Sequence, residues 1–169
     1  DLQTEIKRLG RRAEYAACDI TDADAVENAI SFIRERYNGK IDILVNSAGS
    51  DLFLKRFLDV SREEGMRMIA LYFCGPLNAV RSVLNYCYKP KKIIDVLSHA
   101  AYKNFPGNAY YGGAKAANML ASKSISQEHP EVDFYRIYPA AVDTQMVEND
   151  PILMKIPKEG RVKPDDIAD

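Results

Sequence analysis

Tyr111 and Lys115 stand four positions apart in Tyr111-Gly112-Gly113-Ala114-Lys115, the spacing that puts two side chains on one face of a helix. An ammonium beside a phenol favours the phenolate, so the pair predicts a tyrosine pKa drawn down from its reference of about 10. Such a hydroxyl can exchange a proton with an alcohol or carbonyl oxygen. Alone, the spacing also fits a solvated helical pair. Ser98 lies 13 residues before Tyr111, directly after an apolar run, with Phe105-Pro106-Gly107 between them.

The two histidines offer no rival chemistry. His99 adjoins Ser98, but a hydrolase triad would also need an orienting acid and an oxyanion hole, which this adjacency does not supply. It reads as a loop histidine. His129, next to Pro130, suits a helix end, where its charged form favours the dipole. Neither belongs to a metal-ligand cluster.

The elements that must position these residues alternate along the chain. Leu2, Ile6 and Leu9 recur at helical spacing before Gly10. Ala13 to Cys18 reads as a strand, and Thr21 with Asp24 as a capping box opening a helix that carries Val26, Ala29, Ile30 and Ile33. Ile41 to Val45 is an apolar run suited to a parallel strand buried on both faces. Ser61 and Glu64 form a second capping box, whose helix runs towards Tyr86. Lys92 to Leu97 is a further buried strand, Ala109 to Gln127 a helix rich in small residues, and Val132 to Tyr138 a strand ending at Pro139. This alternation predicts a single α/β domain over residues 1–169, a doubly wound parallel sheet of Rossmann type.

Composition bounds the rest. Of 169 residues, 47% are apolar and 28% charged, enough to bury a core, and the formal net charge of -1 provides no field to attract nucleic acid or an anionic membrane. The most apolar stretch, Met68 to Val80, is broken by Gly75-Pro76 and is shorter than the about 20 residues that cross a bilayer. Cys18, Cys74 and Cys87 are odd in number and lack metal-ligand spacing, which predicts reduced thiols and a cytoplasmic location. The opening residues resemble neither a secretion signal nor a transit peptide.

In a doubly wound sheet the ligand lies beyond the carboxyl ends of the strands. The segments there are Asp19-Ile20, Asn46-Ser47-Ala48-Gly49, Ser98, and Pro139-Ala140-Ala141-Val142-Asp143-Thr144. With Tyr111 and Lys115 they make the sequence resemble the classical short-chain dehydrogenase/reductase family. The resemblance covers nearly the whole chain, including Lys163 to Ala168, similar to the start of a late helix.

The resemblance implies an NAD(P)-dependent oxidoreductase that transfers a hydride between the nicotinamide and a small alcohol or ketone. It implies Tyr111 as acid/base, Ser98 bonded to the substrate oxygen and to the tyrosine, and Lys115 holding the cofactor ribose. Asp19 and Ile20 would lie beside the adenine; Asn46, Ala48, Gly49, Pro139, Ala140, Val142 and Thr144 would contact the cofactor. By the same resemblance, the helices from Ser61 towards Tyr86 and from Ala109 to Gln127 would pack against another subunit in a homodimer or homotetramer. Tyr102, Phe105, Tyr110 and Met146 are candidates for an apolar substrate pocket, for core, or for subunit contact.

Departures from the family pattern are equally specific. No Gly-x-x-x-Gly-x-Gly turn occurs in these residues, the segment that in the family approaches the pyrophosphate and helps to distinguish NAD from NADP. The family's sheet order puts its first two strands between the Ala13 and Ile41 strands, and they are not found here. Its last strand is missing too. The expectation is therefore a fragment of a longer protein, or a gap filled by a partner chain. Tyr72 stands where the family often carries an asparagine near the lysine, and either its hydroxyl or its ring could occupy that place. Ala140 replaces a glycine, and Tyr135 a frequent asparagine. These changes also fit an alternative: a non-catalytic member of the fold that binds a nucleotide or a protein.

Overall fold

The computed structural model describes residues 2–50, 54–88, 90–150 and 152–168. The chain begins with α1 (Leu2–Arg8), closed by Gly10 at φ 71°, a left-handed conformation that glycine adopts without penalty. Then follow α2 (Ala23–Arg36), β1 (Ile43–Asn46), α3 (Arg62–Ile69), a wide helical turn (Ala70–Cys74), α4 (Gly75–Tyr86) and β2 (Lys92–Val96). The remainder comprises α5 (Ala109–Glu128), β3 (Asp133–Ile137), α6 (Gln145–Asn149) and α7 (Asp165–Ala168).

Among the described residues the sheet is parallel throughout, in the order β1-β2-β3, with Asn46 opposite Asp95 and Asp95 opposite Arg136. The expected α/β class is thus present. Ala13 to Cys18, expected as a strand, forms none. A strand exists only through ladder partners, and among the described residues none pairs with this segment.

One face of the sheet is well covered. Ile93 and Val83 are fully buried, and Val80, Val132, Leu44, Ile125 and Phe134 close around Ile93. Val26 and Ile30 of α2 join Val83 of α4 in an adjoining cluster. The opposite face carries Ile43 at 52% exposure, Val45 at 54% and Tyr135 at 48%. Burial of β1 on both faces is therefore not found among the described residues.

Helix starts follow local chemistry. Ser61 and Glu64 form the expected reciprocal capping box at α3. At α2 the cap is Asp22, not Thr21: the Asp22 carboxylate accepts the N–H groups of Asp24 and Ala25, while Thr21 donates its hydroxyl to Asp19. A carboxylate facing the positive end of the helix outcompetes a hydroxyl already committed elsewhere.

Candidate active site

β2 carries the sequence directly into the site. After Val96 the chain reaches Ser98 in extended geometry, and its hydroxyl accepts the Ala100 N–H at 3.1 Å to cap a short turn over His99–Ala101. The same hydroxyl lies beside the Tyr111 phenol, close enough to act on its pKa. The local backbone bond and the contact with tyrosine are therefore both present.

α5 supplies the other two groups. Its small residues allow a close approach: the Asn108 amide tucks over Gly112, where a β carbon would overlap it, and donates to the Ala100 and Lys103 carbonyls. This bridge ties the start of α5 to the segment after Ser98. One turn on, Lys115 is 7% exposed and its ammonium donates to the Val96 carbonyl at 2.8 Å. Its Nζ also lies 5.0 Å from the Tyr72 ring centroid and 6.0 Å from that of Tyr111.

Electrostatics in the site differ from the expectation raised by spacing. Burial pushes the Tyr111 phenol above its ordinary value, and the neighbouring Ser98 hydroxyl opposes part of that rise. The Lys115 ammonium is directed at the Val96 carbonyl, and burial sets the direction of the Tyr111 shift. Burial lowers the Lys115 ammonium to about 8, with the negative charge of Asp95 working against the shift.

Ser98, Tyr111 and Lys115 line one cavity of about 1020 Å³ beyond the carboxyl ends of the strands. Ala48, Gly49, Pro139, Ala140, Val142 and Thr144 line it as well. Asn46 does not; its amide donates to Asp95 at 2.9 Å and locks β1 to β2. Asp19 and Ile20 are also outside this lining. Asp19 is occupied by the N–H and hydroxyl of Thr21, which hold its carboxyl below the usual range, and Ile20 packs over Gly75. Phe105 and Met146 line the cavity, whereas Tyr110 stacks with Phe57 and Tyr102 lies against His99 and Tyr138.

A polar row not expected from the sequence lies beneath the site. Asp95, 2% exposed, accepts from Asn46 and from the Ser122 hydroxyl; Arg136 in turn donates to the Ser122 hydroxyl at 2.9 Å and to its carbonyl at 2.7 Å. A charged residue inside the apolar run Ile93-Ile94-Asp95-Val96 was the available signal. Asp150 was not expected either: its carboxylate accepts the N–H groups of Leu54, Ile152 and Leu153, three residues of the cavity wall. Among the described residues no group of histidine, cysteine and acidic side chains could hold a metal, no helix is long and apolar enough to cross a membrane, and the cysteines are free.

A family model described as short chain dehydrogenase matches residues 1–152. The chain is 30% identical over 173 residues to a 3-oxoacyl-[acyl-carrier-protein] reductase of Synechocystis, covering 97% of this chain and 68% of that protein. To an uncharacterized oxidoreductase of Staphylococcus epidermidis it is 30% identical over 146 residues, 84% of this chain and 63% of that protein. It thus spans less than two thirds of the latter's length. An alcohol dehydrogenase from the archaeon Thermococcus sibiricus, solved in complex with 5-hydroxy-NADP, superimposes with a TM-score of 0.86 at 26% identity, over 99% of this chain and 70% of its own.

Proposed function

The chain belongs to the short-chain dehydrogenase family, and on that premise we propose that it is a nicotinamide-dependent oxidoreductase acting on a small apolar ketone or the matching alcohol, with Tyr111 as general acid/base. The observation that carries this reading is the meeting of Ser98, Tyr111 and Lys115 on one wall of a cavity beyond the strand ends.

The residues present fit the nicotinamide–ribose end of NAD or NADP. The Lys115 ammonium lines the cavity beside a tyrosine and a serine, and Ala48–Gly49 and Pro139–Thr144 form adjacent walls. The described residues include no glycine-rich turn for the pyrophosphate. When bound, the nicotinamide supplies or accepts the hydride.

The remaining steps belong to this chain. A phenol held up by burial is protonated at neutral pH, the form needed to give a proton to a carbonyl oxygen during reduction. Ser98, beside the Tyr111 phenol, would orient a substrate oxygen next to it. Once the proton has left, the Lys115 ammonium is a nearby positive charge that stabilises the phenolate. Leu54, Phe105, Met146, Ile152 and Leu153 favour an apolar substrate body and exclude water around the reacting atoms.

The test follows NADH and NADPH oxidation against a panel of apolar ketones, with Tyr111→Phe as control. Turnover by the parent and a loss of about 100-fold or more in the variant, at similar cofactor affinity, are expected. No turnover of any ketone or alcohol by the intact protein, with cofactor binding retained, would overturn the enzyme reading and leave the non-catalytic alternative.

A further inference from the structure

Between α3 and α4 the helix opens into the wide turn Ala70–Cys74, and Tyr72 within it is 4% exposed. The cause is local. Pro76 has no N–H to give the Tyr72 carbonyl and its ring crowds that carbonyl, and Gly75 donates five residues back, to Ala70. This turn carries Tyr72 against α5 and the loop after β1.

The two ends of Tyr72 do different things. Its ring meets Tyr111 edge to face at 4.9 Å between centroids, and its face looks towards the Lys115 ammonium 5.0 Å away. Its hydroxyl donates to the Ser50 carbonyl at 2.7 Å and accepts the Ser50 N–H at 3.3 Å. The Gly49 backbone lies on the ring, since a β carbon there would stand 3.3 Å from Tyr72 Cε1. The hydroxyl thus serves the loop, while the ring serves the lysine.

We propose that Tyr72 is a positioning residue with two grips: its ring face holds the Lys115 ammonium against the Val96 carbonyl, and its hydroxyl fixes Ser50 and thereby the Ala48–Gly49 wall of the cavity. The proposal rests on Tyr111 and Lys115 being the working pair. An ammonium has three donors. Val96 takes one, and buried aromatic faces are the surroundings that stabilise the remaining charge without a counter-ion in contact. The titratable groups facing Lys115 are Tyr111 on its own helix, Tyr72 from the wide turn and Asp95 on β2.

Tyr72→Phe removes the hydroxyl and keeps the ring; Tyr72→trifluorophenylalanine keeps the ring's shape and depletes its electron-rich face. Lys115 is titrated by NMR of labelled lysine, and the loop is followed by amide hydrogen exchange. Tyr72→Phe is expected to speed exchange at Ser50 by about 5-fold and to leave the Lys115 titration in place. The fluorinated variant is expected to lower that titration by about one pH unit, and the basic limb of kcat with it. If the fluorinated protein is not recovered, Tyr72→Met, which fills the site without a ring, provides the same contrast. Equal Lys115 titration with and without the electron-rich face overturns the ring grip. Unchanged exchange at Ser50 in Tyr72→Phe overturns the hydroxyl grip. Exchange and titration are read without turnover, so an inactive parent protein would refute the oxidoreductase reading and leave both results standing.

Discussion

Lys115 donates its ammonium to the carbonyl of Val96 at 2.8 Å, and Val96 ends β2 two residues before Ser98. One hydrogen bond therefore fixes α5 to the strand that delivers the serine. With the Asn108 bridge to the Ala100 and Lys103 carbonyls, that bond holds α5 against the chain around Ser98.

The bond does not cancel the cost of burying the charge. Burial lowers the Lys115 pKa from 10.5 to about 8, so below about pH 8 the native protein carries a charge that the unfolded chain holds more easily. Between about 8 and 10.5 the unfolded lysine binds its proton and the native one does not, so stability rises with pH across that window. Lys115→Met should therefore be more stable than the parent at pH 7 by about 2 kcal/mol, after allowing for the lost Val96 bond. The advantage should shrink towards pH 10, and activity should be lost at every pH. Urea denaturation across this range checks the sign; a methionine variant less stable at pH 7 than at pH 10, relative to the parent, would contradict it.

Asp95 is a second buried ionisable group, and its partners lie in register across the sheet: Asn46 on β1 and, through Ser122, Arg136 on β3. Asp95→Asn sets an amide against the Asn46 donor and leaves Arg136 without a nearby negative charge. It should cost about 3 kcal/mol and lower the Lys115 titration, because the Asp95 charge supports the ammonium. In Arg136→Leu background the cost should fall, since the uncompensated cation has gone. Additive losses in denaturation of the double variant would show that the two charges act independently.

The row shows where the sequence was legible. Ser98, Tyr111 and Lys115 could be read because they are chemically distinctive and because strand ends and helical spacing bring them together. Asp95 and Arg136 gave only the sign of a charge in a strand; their pairing depends on register, which no single strand encodes. Ala13 to Cys18 has strand-like composition, but strand formation is decided by neighbours. Thr21 and Asp22 are both competent caps, and the contest turned on Asp19 engaging the threonine.

Adjacent glycines in α5 should respond in opposite ways. At Gly112 a β carbon would overlap the Asn108 side chain, whereas at Gly113 it would meet nothing within 4 Å. Gly112→Ala should lose about 2 kcal/mol by displacing Asn108 from the Ala100 and Lys103 carbonyls. Gly113→Ala should gain about 0.7 kcal/mol from helix propensity. Thermal melts of the two variants decide it, and a loss at Gly113 would mean that its exposed helix surface is covered in the intact protein.

Asp150 tests the link between loop and specificity. Its two oxygens accept Leu54 at 2.7 Å, Ile152 at 2.8 Å and Leu153 at 3.0 Å, so one buried carboxylate holds apolar wall segments that are distant in sequence. Removing it leaves Ser98, Tyr111 and Lys115 untouched. Asp150→Ala should therefore raise KM for an apolar ketone by about 10-fold, the cost of one or two lost hydrogen bonds in the wall, and change kcat less. Asp150→Asn, which keeps one carbonyl oxygen, should fall between. An equal drop in kcat and kcat/KM would place Asp150 with the proton-transfer geometry and remove it from the substrate wall.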